Sequence, residues 1–387
     1  MDYTPNLTDA AVLSKAVGLL DGHLPLTAHG YVCRNDDLWR ILLGAATKQT
    51  TISGYCESLS DGPSGMIVRR YVNGYFVVED LPAIETACNA VLAATIPARV
   101  FKDARDTAMD CHEQAYYGKS AQENGLWIRA EAKDGTTRFY RVATAYVIWK
   151  QVRVTLAIKF VLPQDDSVST VSDLLKRLKA LKYRVRTLYL DRGFGSVRIM
   201  RFLSKTRIKA LIACTIRGKN GGTRALCKGR ASYVTRYTFG TPKTGQFTAN
   251  LAVCRTFTTS RRTRRHARKA EWMIFCMIGC HFSPARIRAN YRRRFGIESS
   301  YRCARMARGW TTSPNPVLRF VFIALSFFLV NLWIALRWHY AQLPRRGGRI
   351  VVKAYFRLKR LIAWIASAAD SIYRPIKAIC PLTLPIT

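Results

Sequence analysis

Carboxylates are scarce in this chain, and three of them stand where chemistry could use them. The 387 residues carry 24 Asp and Glu against 62 Lys and Arg. Glu298 lies inside "YRRRFGIESSYRCARMARG", Tyr291 to Gly309, among Arg292, Arg293, Arg294, Arg302, Arg305 and Arg308. A solvated basic helix has no need of an acid at its centre. A site that holds a divalent metal against a polyanion does. Asp191 follows the apolar run "TLYL" and precedes "RGFG". A strand end that opens into a glycine-bearing turn is where α/β sheets place functional groups. Asp110 ends the short strand candidate "RDTAMD" and precedes "CHEQAYYG", with Asp103, Asp106 and Glu113 as rivals close by. Two carboxylates on adjacent strand ends and a third on a packed helix supply hard oxygen ligands for two Mg²⁺ ions, with Mn²⁺ as a substitute. Such a pair activates a water or a 3′-hydroxyl and stabilises the leaving oxygen.

Each acid also has an ordinary reading. Asp191 could cap the following turn, Asp110 could be a polar turn residue, and Glu298 could pair with Arg294 and Arg302 at i±4. On one helix, however, Tyr291, Arg294, Glu298 and Arg305 follow spacings of three, four and seven. At about 100° per residue they fall within an arc of roughly 60°. That face presents a phenol, a carboxylate and two guanidiniums, groups suited to a phosphate backbone. Gly296 inside the helix costs about 1 kcal/mol relative to Ala, which points to a close approach. Cys276, Cys280, His281 and Cys303 lack zinc-knuckle spacing.

The elements that must position these residues follow from periodicity. Residues 1–98 read as a helical domain, in which a Gly/Pro turn precedes a short helix bearing Arg69 and Arg70, a possible helix-turn-helix for DNA. Residues 99–216 give the order β-β-β-α-β-α-β, a mixed α/β sheet; the first helix begins at Ser167 or Ser169 as cap. Residues 217–270 are a β-rich insertion closed by "RRTRRHARK". That acid-free run, with Arg261, Arg262, Arg264, Arg265, Arg268 and Lys269, suits phosphate contact. Residues 271–345 return to the core with a strand and the helix of Glu298, and 346–387 form a basic helical tail.

A net charge of +38, spread along the chain, calls for a polyanionic partner, and double-stranded DNA is the commonest. The 49% apolar content excludes wholesale disorder. Eleven scattered cysteines without a Cys-x-x-Cys pair, and a start lacking a signal peptide, fit a cytoplasmic protein. Val317 to Leu336 is apolar and long enough for a bilayer, but Arg319 and Asn331 within it favour a buried core helix and no membrane.

Together these residues resemble the DDE transposases of prokaryotic insertion sequences, in the cut-and-paste group marked by a YREK signature. Tyr291, Arg294, Glu298 and Arg305 match its spacing, with Arg in place of the final Lys. "LYLDRGFGS" resembles the second-Asp block and "AMDCHEQAYYG" the first. The likeness covers about residues 104–340. It implies an RNase H-like catalytic core interrupted by a β-rich insertion, with Asp110, Asp191 and Glu298 as catalytic metal ligands. Tyr291, Arg294, Arg302, Arg305 and Arg192 would hold DNA. It also implies cleavage at element ends, strand transfer to target DNA, and a homodimer assembled on DNA near the nucleoid; some members pass through a hairpin that needs an aromatic residue to stack a flipped base. The rivals are an inactive, transposase-derived DNA-binding protein and a nuclease that cuts without joining.

Overall fold

A computed structural model describes residues 6–29, 33–118, 125–149, 152, 154–243, 245–259, 268–294, 296–346 and 348–378. The chain separates into two compact units. One contains residues 1–97, 117–126 and 300–387; the other contains 98–116 and 127–299.

In the first unit, α1 (Asp9–Asp21), α2 (Asn35–Thr47), α3 (Ile52–Glu57), α4 (Gly65–Tyr75) and α5 (Leu81–Ala94) come from the N-terminal part. Thr8 caps α1 by accepting from the Ala11 amide at 3.2 Å. Arg69 and Arg70 are exposed on α4, opposite its buried Val68 and Val72. Residues from the other end of the chain complete this unit: α10 (Pro316–Tyr340), the hairpin of β10 (Gln342–Arg345) and β11 (Gly348–Val351), and α11 (Leu358–Tyr373). Helix α10 is long and apolar enough to cross a bilayer, yet its most apolar stretch is wholly buried inside the unit. Its Arg337 guanidinium stacks 4.1 Å from the Trp333 ring, and the Trp333 indole N–H donates to the Phe356 carbonyl at 3.0 Å.

Helix α11 is bound to the N-terminal helices through polar pairs. The Tyr373 hydroxyl donates to Asp37 at 2.6 Å, the Tyr55 hydroxyl to Asp370 at 3.2 Å, and Lys48 pairs with Asp370 at 2.7 Å. The Tyr55 ring reaches Asp370 by lying across α2 at Gly44. A Cβ at Gly44 would stand 2.2 Å from that ring. Gly44→Ala is therefore expected to cost about 2 kcal/mol by overpacking, read as a lowered chemical-denaturation midpoint. An unchanged midpoint would show that Tyr55 moves aside freely.

The second unit is built on one sheet. Its strands are β1 (Arg105–Ala115), β2 (Ile128–Lys133), β3 (Thr136–Ile148), β4 (Thr155–Val161), β5 (Val185–Leu190), β6 (Ala210–Cys214), β7 (Tyr233–Thr241), β8 (Gly245–Thr259) and β9 (Arg268–Ile278). They run in the order β2-β3-β1-β5-β6-β9-β8-β7, with β4 also paired to β3. β1, β5 and β6 are parallel neighbours; the remaining pairs are antiparallel. Every residue of β4 is buried. Even Lys159 is drawn in, held by Asp173 at 2.7 Å and Asp165 at 3.2 Å.

Helices α6 (Ser167–Ala180), α7 (Val197–Lys205), α8 (Pro284–Arg294) and α9 (Gly296–Arg305) complete the elements. α6 is capped by Asp166, which accepts from the Ser169 amide at 2.8 Å, and not by either serine. A carboxylate at that position also faces the positive end of the helix.

Three further expectations change. β1 does not end at Asp110 but runs on to Ala115, because "CHEQA" keeps pairing with β3. The sequence 217–270 is not separate from the core sheet: β7 and β8 extend it beyond β9, which itself begins at Arg268. The single helix expected around Glu298 is two helical segments, α8 and α9, on either side of residue 295.

Candidate active site

The parallel ladder between β1 and β5 decides where two carboxylates meet. It runs to the pair Met109–Leu190, so the next residues, Asp110 and Asp191, lie side by side at its carboxyl end. Of the four acids in and beside β1, the other three are engaged elsewhere. Asp106 is buried and grips Arg186 through both oxygens, at 2.8 and 2.7 Å. Asp103 pairs with Arg105 and Glu113 with Arg141. Asp191 stands at the N-cap position of the turn that follows it, but its carboxylate makes no capping hydrogen bond there and is left to face Arg294.

Arg294, the last residue of α8, joins the pair. Its Nη1 donates to Asp110 at 3.1 Å and its Nη2 lies 3.4 Å from Asp191, while its side chain is only 7% exposed. The expectation that Arg294 and Tyr291 share an outward face with Glu298 therefore changes. Both are buried, and Arg294 turns its fork toward the two aspartates. A helical wheel identifies a face; the sheet decides that this part of it points inward.

The electrostatics follow from burial. Desolvation raises the Asp110 carboxyl from its ordinary 3.8 to about 6, Arg294 opposes the rise, and neighbouring Asp191 adds to it. The Cys111 amide donates to Asp110 Oδ1 at 2.9 Å and also opposes it. Burial acts to lower Arg294, yet Tyr291, Asp191, Asp110 and Glu298 together raise it above the ordinary arginine value. Tyr291 packs its ring against Phe275 at 4.6 Å and Tyr189 at 6.4 Å, with the Arg294 guanidinium 5.1 Å from its centroid. Its hydroxyl is buried and finds no hydrogen-bond partner among the described residues.

Glu298 is exposed in the first turn of α9, within electrostatic reach of Arg294. An acid there also suits the helix dipole. Gly296 brings the start of α9 against β3: a Cβ would stand 3.1 Å from the Tyr146 hydroxyl, so the close approach expected of this glycine is present. Among the described residues, no three His, Cys, Asp or Glu side chains are gathered closely enough to hold a metal as they stand.

The other candidates are spread out. Arg192 is exposed in the turn after Asp191, and Arg302 and Arg305 are exposed on α9. Arg268 and Lys269 open β9, whereas Arg261, Arg262, Arg264 and Arg265 lie outside the described residues. One patch escaped the sequence reading. On β8 and β9, Arg255 lies 4.9 Å from the Phe257 ring and 5.8 Å from the Trp272 ring. Alternation along β8 with Trp272 opposite Arg255 was the available signal, but it requires the β8–β9 register.

A family model for the transposase DDE domain matches residues 106–332. The chain belongs to the DDE transposase family. The match takes in the aspartate pair, Arg294 and Glu298. The fold agrees: the cryo-EM structure of a piggyBac transposase synaptic complex with hairpin DNA is similar over 94% of this chain and 78% of that one, with a TM-score of 0.58 at 10% identity. The large mixed sheet with flanking helices of this transposase is of the RNase H-like kind. No curated protein matches the chain.

Proposed function

We propose that this transposase cuts double-stranded DNA at the ends of an insertion sequence and joins the freed 3′-hydroxyl to target DNA, with Asp110, Asp191 and Glu298 as its catalytic carboxylates. The observation that carries the reading is the aspartate pair side by side just beyond the last pair of the β1–β5 ladder, already converging on one buried cation, Arg294.

The same observation tests the fit of a metal. Hard carboxylate oxygens suit Mg²⁺, two ions in the full site, with Mn²⁺ as a substitute. A buried carboxyl held up at about 6 is one that a stronger cation would ionise. The unpartnered Tyr291 hydroxyl adds a polar group within electrostatic reach of both aspartates. Bound divalent cations would supply charge for the leaving oxygen and a more acidic nucleophile. Asp110 and Asp191 would hold them from the sheet and Glu298 from α9.

The remaining work falls to cations of the chain. Arg294 keeps the two aspartates oriented. Tyr291 fixes Arg294 through its ring. Exposed Arg192, Arg302 and Arg305 hold the DNA backbone near the scissile bond, Arg69 and Arg70 on α4 add phosphate contacts of their own, and the basic residues Arg261, Arg262, Arg264, Arg265, Arg268 and Lys269 add charge. The match of the YREK spacing favours the prokaryotic insertion-sequence group, hence a cytoplasmic enzyme working on the nucleoid. Two element ends require two sites, so a homodimer on DNA is expected.

The test is Mg²⁺-dependent cleavage of a duplex carrying the element's own ends, with Glu298→Gln beside wild type. Loss of cutting by at least about 100-fold is expected, with DNA binding retained. Equal cutting by both proteins removes Glu298 from the site. Binding without cutting by either would make the chain a DNA-binding derivative, and cutting without joining a nuclease.

A further inference from the structure

The basic character of the chain is unevenly spread. Residues 1–47 hold five of its 24 acids against only three basic residues, Lys15, Arg34 and Arg40. Asp9, Asp21 and Asp36 line a groove of about 450 Å³ between α1, the start of α2 and the end of α11. Leu13, Val17 and Ile372 form its apolar side, and Ile372 is 45% exposed. The cation in the lining, Arg40, is already taken, 2.8 Å from Asp36 and 3.7 Å from Asp37. Asp21 is the last residue of α1, where the negative end of the helix dipole disfavours an acid. No basic residue stands in that last turn to offset it. Such a surface repels DNA and suits a cationic, partly apolar segment.

The chain itself carries one. The β10–β11 hairpin lies within residues 299–369, a stretch that contains no acid. Arg345, Arg346 and Arg349 are exposed near its turn. Leu343 and Ile350 stand opposite one another in its ladder and are 56% and 47% exposed. Residues directly opposite in a ladder share a face, so the hairpin presents an apolar pair flanked by guanidiniums. Phosphate contact would use the arginines and leave that pair bare in water. An acidic groove with an apolar side uses both.

We propose that the β10–β11 hairpin of one copy docks in the α1–α11 groove of a second copy. Leu343 and Ile350 meet Leu13, Val17 and Ile372, while the arginines face Asp9, Asp21 and Asp36. The proposal rests on the expected homodimer and supplies its contact; it does not depend on which carboxylates hold a metal. Reciprocal exchange of hairpins by two copies fills both grooves and closes a two-fold dimer.

Sedimentation equilibrium of the full chain, alone and with a short blunt duplex, tests it. Wild type is expected to dimerise, and more weakly as salt screens the exposed charges. Asp9→Lys with Asp21→Lys in the groove should weaken dimerisation by at least about ten-fold, as should Arg345→Glu with Arg349→Glu in the hairpin. All four substitutions in one chain should restore most of the loss, because the charges are exchanged and not removed. A purely structural role would not produce that recovery. Leu343→Ser with Ile350→Ser should weaken the dimer by a similar factor. Loss in the charge variants without recovery in the combination overturns the docking. Undiminished dimers in both charge variants overturn it too, and leave the homodimer itself standing. If wild type is monomeric with and without DNA, both ideas fail. A hairpin variant that dimerises normally but loses affinity for the duplex assigns the hairpin to DNA instead.

Discussion

Asp110→Asn is expected to reduce DNA cleavage by on the order of 10³-fold or more while changing how stability depends on pH. The amide keeps the size of the carboxylate and removes the charge that would hold a metal. The effect on stability has a definite sign. The Asp110 carboxyl stands at about 6 in the folded protein against an ordinary 3.8, so the folded state takes up its proton more readily than the unfolded chain. Its contribution is complete below pH 3.8 and is lost as pH rises through about 6. A rise of that size corresponds to roughly 3 kcal/mol. In metal-free buffer, the stability of wild type relative to Asp110→Asn should therefore fall by about 3 kcal/mol between pH 3.5 and pH 7. Urea melts of both proteins across that range check it. Parallel curves would mean that Asp110 is not held in a desolvated place.

Arg294→Met should be the more damaging change to the fold. Arg294 is the buried cation between Asp110 and Asp191, and methionine fills its stem without its charge. Removing one partner of a buried ionic group costs about 3–5 kcal/mol, because the remaining charges are left uncompensated. Divalent cations should offset part of this loss, since an ion can neutralise the same carboxylates. Melting with and without Mg²⁺ should show a larger metal-induced rise in Tm for Arg294→Met than for wild type. A loss below about 1 kcal/mol, the value of an exposed pair, together with no extra response to Mg²⁺, would contradict this role.

How much of this was legible in the sequence varies with the range of the interaction concerned. The carboxyl end of β5 was readable, because "VRTLYL" is apolar and "DRGFG" is turn chemistry; Asp191 sits at that junction. The end of β1 was not, because the polar residues of "CHEQA" resemble a turn until β3 is there to pair with them. Four acids near β1 look equivalent along the chain. Only the parallel register with β5, and the engagement of Asp106 with Arg186, single out Asp110. The wheel that grouped Tyr291, Arg294 and Glu298 contains no information about which part of the face meets the sheet. The union of residues 300–387 with 1–97 was equally hidden, since the Asp37–Tyr373 and Asp370–Lys48 contacts join chain ends that no local period connects.

The most direct measurement is Mn²⁺ binding to the protein–DNA complex, followed by electron paramagnetic resonance for wild type, Asp191→Asn and Glu298→Gln. Bound Mn²⁺ loses the sharp signal of the free ion, so occupancy is read without any requirement for turnover. If the aspartate pair and Glu298 hold the metal, wild type should bind it and each substitution should weaken binding at least about ten-fold. Equal Mn²⁺ uptake by all three proteins would contradict the assignment of these carboxylates.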